Sequence, residues 1–193
     1  MQAAKFSLFS MIIIMVGVPL YALPATLTLP TGVRPGVKEL TLEQAVQQLK
    51  DSRKTGWSLV EAARSLVADR MVYSRRNSFD SPGISFSRGY GYCLQHADAL
   101  SYLLNQLGFS ARVVHAFHNR FPDGKITSHA WVSVSLGAEN RYIDSLFYNE
   151  ETGELEFIPL SEISEVSPAL KLLTYWGATA VNAHRYYFTG KDL

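Results

Sequence analysis

Cys93 is the only cysteine in a chain of 193 residues. A lone thiol cannot close a disulfide within the chain or build a cysteine-rich zinc site. It is therefore a packing residue, an intermolecular link or a reactive group. A glycine-containing stretch precedes it and a helical pattern begins at it. At a helix N-terminus the unpaired N–H groups and the positive end of the dipole favour a thiolate. The same N–H groups, that of Cys93 included, can receive an oxyanion once sulfur attacks a carbonyl. Such a nucleophile needs a base, and the base needs an acceptor that orients it. His129 falls in a strand pattern beside Trp131, with Ala130, Val132 and Val134 on the opposite face. Asp144 is read on the next strand, and a short antiparallel connection makes the two cross-strand neighbours. Asp144 could then accept the N–H of His129 and leave the other ring nitrogen for sulfur. The plain alternative is a packing thiol, a surface histidine and a strand-end aspartate.

Other side chains offer less. Packing accounts for Tyr92, which adjoins the thiol, and for Gln95, Trp57 and Tyr90. His96 would have to bond back along its own helix to serve as base, so it reads as a packing or supporting residue. His115 and His118 point to opposite faces of a strand, a poor arrangement for a shared metal. There is no EF-hand-like acidic loop, so neither a metal nor a cofactor is expected.

Thr41 with Gln44 forms a capping-box pattern ahead of Leu42, Ala45, Val46 and Leu49. Ser58 with Glu61 repeats it ahead of a second helix carrying Leu59, Ala63, Leu66, Val67 and Met71. Residues 74–92, with Pro82, Gly83, Gly89 and Gly91, read as a long irregular loop, a length more often functional than accidental. From Cys93, the positions Ala97, Leu100, Leu103, Leu104 and Leu107 keep a helical period, and Gly108 stands where a C-cap glycine belongs. The period then changes to two. Ala111 to Phe117, Ser128 to Leu136 and Arg141 to Phe147 read as antiparallel strands, Glu154 to Ile158 as a candidate edge strand, and Pro168 to Phe188 as a helix docking on the core. The expected fold class is α+β, with helices packed on an antiparallel β-sheet.

Lys5 is the only charge before Arg34, and Leu8 to Val18 is apolar. That layout suits a secretory signal ending near Ala22, with a membrane anchor as the alternative. The expected organisation is 1–22 signal peptide or anchor, 23–40 linker and 41–193 folded domain. Export to the periplasm or medium follows, with membrane association through residues 6–23 in the anchored case. Eighteen basic residues against seventeen acidic leave a net charge of +1. Nothing there would neutralise a phosphate backbone, so a nucleic-acid partner is not expected.

The blocks Gly91-Tyr92-Cys93 with Ala97, Gly108-Phe109-Ser110-Ala111-Arg112-Val113-Val114, His129-Ala130-Trp131-Val132 and Asp144, in that order, resemble the transglutaminase-like superfamily. The likeness spans about residues 58–148. It implies a papain-like core in which Cys93 is nucleophile, His129 general base and acid, and Asp144 the orienting group. It also implies an acyl-thioester formed at an amide of a peptide or protein and resolved by water or an amine. Members often use an aromatic or amide side chain to bind substrate or assist the oxyanion, which makes Tyr92 and Gln95, with Trp57 and Tyr90, the candidates that the resemblance implies, and Ser145 departs from the proline that many members carry after the aspartate. Hydrolysis is the expected outcome; amine acyl transfer (protein cross-linking) and a catalytically silent, partner-binding domain are the alternatives.

Overall fold

The computed structural model describes residues 16–18, 20–21, 32–74 and 80–189. Most of the expected signal or anchor, residues 23–31 of the linker, and Arg75 and Arg76 lie outside these. Residues 32–40 form neither helix nor strand, yet they are fastened to the domain. The Arg70 guanidinium donates to the carbonyls of Lys38 (2.5 Å) and Leu40 (3.3 Å), and Arg34 N–H donates to the Arg88 carbonyl at 2.9 Å.

Helix α1 (Leu42–Asp51) begins at the capping box expected for it. Thr41 Oγ1 accepts from Gln44 N–H, and Gln44 Oε1 accepts from Thr41 N–H. Helix α2 (Gly56–Arg70) corrects the second expected box. Its N-cap is Thr55, Ser58 Oγ donates back to the Thr55 carbonyl, and Glu61 accepts from Arg64 and Tyr148 instead. Two residues of helix, Gly56 and Trp57, thus precede the expected starting serine.

The expected loop at 74–92 is also corrected. After strand β1 (Val72–Tyr73) comes helix α3 (Pro82–Arg88) and then strand β2 (Tyr90–Gly91). Pro82 stands in the first turn, where its missing N–H costs nothing, Ser81 accepts from Ile84 N–H, and Gly89 closes the helix at φ 76°. The residues that suggest a loop are here the start and stop of a short helix that buries Phe86. Strand β2 pairs in parallel with β1, through Val72 N–H to Gly89 O (2.9 Å) and Ser74 N–H to Gly91 O (2.8 Å). Those bonds anchor the chain immediately before helix α4 (Cys93–Gln106).

The sheet contains β3 (Ser110–Arg120), β4 (Ile126–Leu136) and β5 (Glu139–Ile143), antiparallel in the order β5-β4-β3. Strands β3 and β4 are longer than expected, and β5 stops one residue short of Asp144. The short pair β6 (Tyr148–Asn149) and β7 (Glu154–Leu155) follows. Strands β8 (Ile158–Pro159) and β9 (Ser164–Glu165) then add to the far edge of β3. The single edge strand expected at 154–158 is therefore divided between two sheets. Helix α5 (Pro168–Thr189) completes the described chain.

Strand alternation divides the core. Ala130, Val132 and Val134, with Ala111 and Val113, join the cluster that includes Leu100, Leu103 and Leu104 of α4. Trp131, Val114 and Ala116 join a second cluster with Phe121 and Phe157. The register is regular from Ser110↔Ser135 to Ala116↔His129 and then shifts before Asn119↔Thr127. Asn119 is fully buried at this bulge, and its amide donates to the carbonyls of Ala116 and Thr127. Bulges commonly re-aim a neighbouring side chain, and here the neighbour is His129.

Candidate active site

Cys93 is the first residue of α4, half-buried and unpaired in any disulfide. Its height above the sheet is set from both ends. The β1–β2 pairing holds the approach, and apolar residues on α4 hold the helix against β3 and β4. Gly91 allows the approach to run close: a Cβ there would lie 2.7 Å from Met71 Cε and 3.0 Å from Gln95 Cβ.

His129 and Asp144 meet, though not as a directly opposed pair. The β4–β5 register of Val132↔Ile143 would set Asp144 against Trp131, so the carboxylate reaches diagonally along the strand face. His129 Nε2–H donates to Asp144 Oδ2 at 2.6 Å, and Leu146 N–H donates to Asp144 Oδ1 at 3.1 Å. The imidazole lines the same two cavities as Cys93, which, like Asp144, favours the protonated form of the ring. Four aromatic rings enclose it: Phe121, Phe147 and Phe157 edge-on at 4.9–5.5 Å between centroids, and Trp131 stacked at 6.2 Å. Burial disfavours charge on this ring, but Asp144 and Cys93 outweigh it and push its pKa up to about 10. The imidazolium is thus the neutral-pH form.

The aromatic enclosure was not anticipated from sequence. Phe121 and Phe157 stand in turn and edge segments, where an isolated aromatic carries no periodic signal. His96 and Ser145, read separately as a supporting residue and a departure from a family pattern, are partners, with His96 Nδ1 3.1 Å from Ser145 Oγ. Burial lowers the His96 pKa to about 4, against the pull of Asp144.

Tyr92 and Gln95, the candidates for binding substrate or an oxyanion, are both buried. Gln95 is fully buried; its Oε1 accepts from Tyr92 N–H at 3.2 Å and its Nε2 donates to the Asp80 carbonyl at 2.9 Å. It is fastening the start of α4. Tyr92 is buried edge-on against Tyr175 at 5.8 Å, with burial raising its phenol pKa. Neither residue lines the cavities that reach the thiol. Trp57 is also remote, donating to Glu139 at the far end of β5.

Two cavities meet at Cys93, Ser128 and His129. The larger, of about 410 Å³, runs past Phe121, Phe147 and Tyr73 to a rim bearing Asp123, Lys125 and Glu156. The smaller, of about 80 Å³, is walled by Leu94, Ala130, Val166 and Leu170, with His115 and Thr174 as polar neighbours. His115 Nε2 lies 3.1 Å from Ser164 Oγ.

A thiol beside an imidazole that is bonded to a carboxylate is an arrangement able to form and resolve thioesters. No curated protein sequence matches this chain. Among solved structures, a candidate cysteine protease from Cytophaga hutchinsonii is similar at 14% identity and a TM-score of 0.42, over 73% of this chain and 55% of that one. The periplasmic domain of TgpA from Pseudomonas aeruginosa is similar at 18% identity and a TM-score of 0.44, over 66% and 47%. The chain therefore spans about half the length of either. The sequence profile of the transglutaminase-like superfamily matches residues 43–144, a span that takes in Cys93, His129 and Asp144. This chain belongs to the transglutaminase-like superfamily.

Proposed function

We propose that this protein is an exported thiol hydrolase that cleaves amide bonds of a peptide or protein, with Cys93 as nucleophile, His129 as general acid and base, and Asp144 as the group that orients His129. The observation that carries this reading is the His129 hydrogen bond to Asp144 at 2.6 Å through Nε2. It commits one ring nitrogen to the carboxylate while the ring shares two cavity walls with Cys93. His129 takes the proton that the thiol gives up as sulfur becomes the nucleophile. Sulfur adds to the amide carbonyl, and the oxygen's developing charge faces the Cys93 N–H at the start of α4, which has no acceptor within the helix. The C–N bond breaks as His129 gives its proton to the departing amine, leaving a thioester. Water then adds as His129 takes its proton; the C–S bond breaks, releasing the carboxylic acid and restoring the pair. The larger cavity, with its aromatic wall and charged rim, suits a peptide chain. The domain is assigned to 41–193, and the uncharged segment ahead of it to an export signal or anchor.

Amine acyl transfer is a second reading, favoured by the smaller cavity. Its apolar wall reaches Cys93 and His129 from another side and could seat the alkyl chain of an amine. Labelling with an iodoacetamide probe, followed by peptide mapping, tests the assignment. Cys93 is expected to be the modified residue, with labelling absent in Cys93→Ala and suppressed in His129→Ala. Amidase activity that survives Cys93→Ala would end it. Labelling no faster than that of the denatured chain would favour a silent binding domain. Product masses with and without an added primary amine separate hydrolysis from transfer.

A further inference from the structure

Helix α5 carries two charges in 22 residues, Lys171 and Arg185. Lys171 turns inward to an ion pair with the buried Asp98. The inner side of the helix buries Thr179 and Ala183, and Tyr175 packs on Tyr92. The outward side repeats at helical spacing, through Leu173, Gly177, Val181, His184 and Phe188, and none of these is a lysine, arginine, aspartate or glutamate. Leu173 is 68% exposed and Phe188 73%, so the stripe is apolar and open along its length. An exposed contiguous apolar strip rimmed by polar residues marks an interaction surface.

We infer that this stripe of α5 rests on a lipid surface. Two observations select that occupant. The first is continuity with the uncharged N-terminal segment: Tyr187 Oη donates to the Tyr21 carbonyl at 2.7 Å, and the two rings meet edge-on at 5.1 Å. Tyr21 belongs to the stretch between Lys5 and Arg34 that contains no charge, so where that stretch is retained as an anchor, α5 lies against its Tyr21. The second is area. A 22-residue helix is about 33 Å long and about 10 Å wide, so the stripe offers on the order of 300 Å². A stable dimer needs about 800 Å² from each partner. A bilayer surface has no such minimum, and a helix lying in it gains from each buried apolar side chain. Leu173, Val181 and Phe188 would supply the inserted bulk. This inference is independent of the catalytic assignment.

The test uses the full chain with phosphatidylcholine vesicles whose acyl chains are brominated. Trp176, half-buried at the border of the stripe, is the reporter, identified by the signal lost in Trp176→Phe. Bromine is expected to quench its emission. Leu173→Glu and Phe188→Glu should each lower the docked-to-undocked ratio by about tenfold, the factor set by losing one buried apolar side chain. Both substitutions are at exposed positions, so melting curves and Cys93 labelling should match the parent chain. Absence of quenching in the parent chain, or quenching that persists in the double variant, would overturn the inference. So would lipid-free self-association of the parent chain that the same variants abolish, since the occupant would then be a second copy.

Discussion

Two histidines lie within reach of one carboxylate and hold opposite charge states. His129 is 5% exposed and His96 fully buried, and burial disfavours the cation in both. Asp144 attracts charge onto both rings as well. The difference is the hydrogen bond. His129 donates to the Asp144 carboxylate at Oδ2, whereas the side chain that His96 meets is the neutral hydroxyl of Ser145. A charge-assisted bond at 2.6 Å outweighs burial; a carboxylate acting through space does not. In the proposed reaction the charged ring handles the proton, and the neutral one supports the residue beside Asp144.

The largest way to break this comparison is at His129. His129→Gln keeps a polar group in the aromatic enclosure but removes the acid and base. Labelling of Cys93 should fall by about 10³-fold, within the usual range for a positioned proton-transfer group. His96→Gln should change that rate by less than tenfold. Equal losses in the two variants, measured by timed iodoacetamide labelling, would dissolve the distinction. Stability should move differently. His129 has a raised pKa, so its contribution is fully present below about 6.5 and lost as pH rises through about 10. His129→Gln should flatten that alkaline decline.

Next in size is the enclosure that keeps His129 out of water. Phe157 is 4% exposed, with its ring 4.9 Å from that of His129 and 5.1 Å from that of Trp131. Phe157→Ala should cost about 3–5 kcal/mol in denaturant unfolding, through lost burial and the cavity left behind. A loss below about 1 kcal/mol would mean that the rings are not a packed unit.

These effects also mark where sequence reading succeeds. Periodicity made α1, α4 and the β3–β4 hairpin legible, because each buries one face over many residues. The lone thiol at a helix start, together with the order of Cys93, His129 and Asp144, pointed to one locus that the fold does bring together. What stayed hidden depends on contacts far apart in sequence or on signals with two meanings. Pro82 and Gly89 are read as loop residues by composition, yet they delimit α3 because Phe86 has a core to enter. Ser58 and Glu61 match a capping box, but Glu61 is held by Tyr148, 87 positions away. The diagonal reach of Asp144 follows from register, and the meeting of His96 with Ser145 from how α4 docks on the sheet.

The acid side of the comparison belongs to His96. Its pKa is lowered to about 4, so unfolding gains a proton as pH falls below the unfolded value of about 6.5. Stability should drop by about 2 kcal/mol between pH 7 and pH 5 and level off below pH 4. In His96→Gln that portion of the acid decline should disappear from urea unfolding curves taken at each pH. An unchanged slope would assign the decline to other groups.

Gly91 allows the smallest and most local test. Its carbonyl and that of Val72 face the His96 ring without closing a bond to the buried Nε2. A methyl at Gly91 meets Met71 Cε at 2.7 Å, the mobile end of a side chain, and Gln95 Cβ at 3.0 Å, which is far less mobile. At Gly89 a methyl would instead meet the Arg70 carbonyl at 2.8 Å, in a backbone with φ 76°, and neither contact nor conformation can relax cheaply. Gly91→Ala should therefore cost about 1 kcal/mol, the lower end for overpacking, and Gly89→Ala should cost more. Because the displaced residue lies two positions before the thiol, Gly91→Ala should also slow Cys93 labelling while leaving the alkaline decline assigned to His129 in place. If labelling slows and that decline shifts too, the approach to α4 and the histidine pair move as one body, and the separation between the two histidines is narrower than their hydrogen bonds suggest.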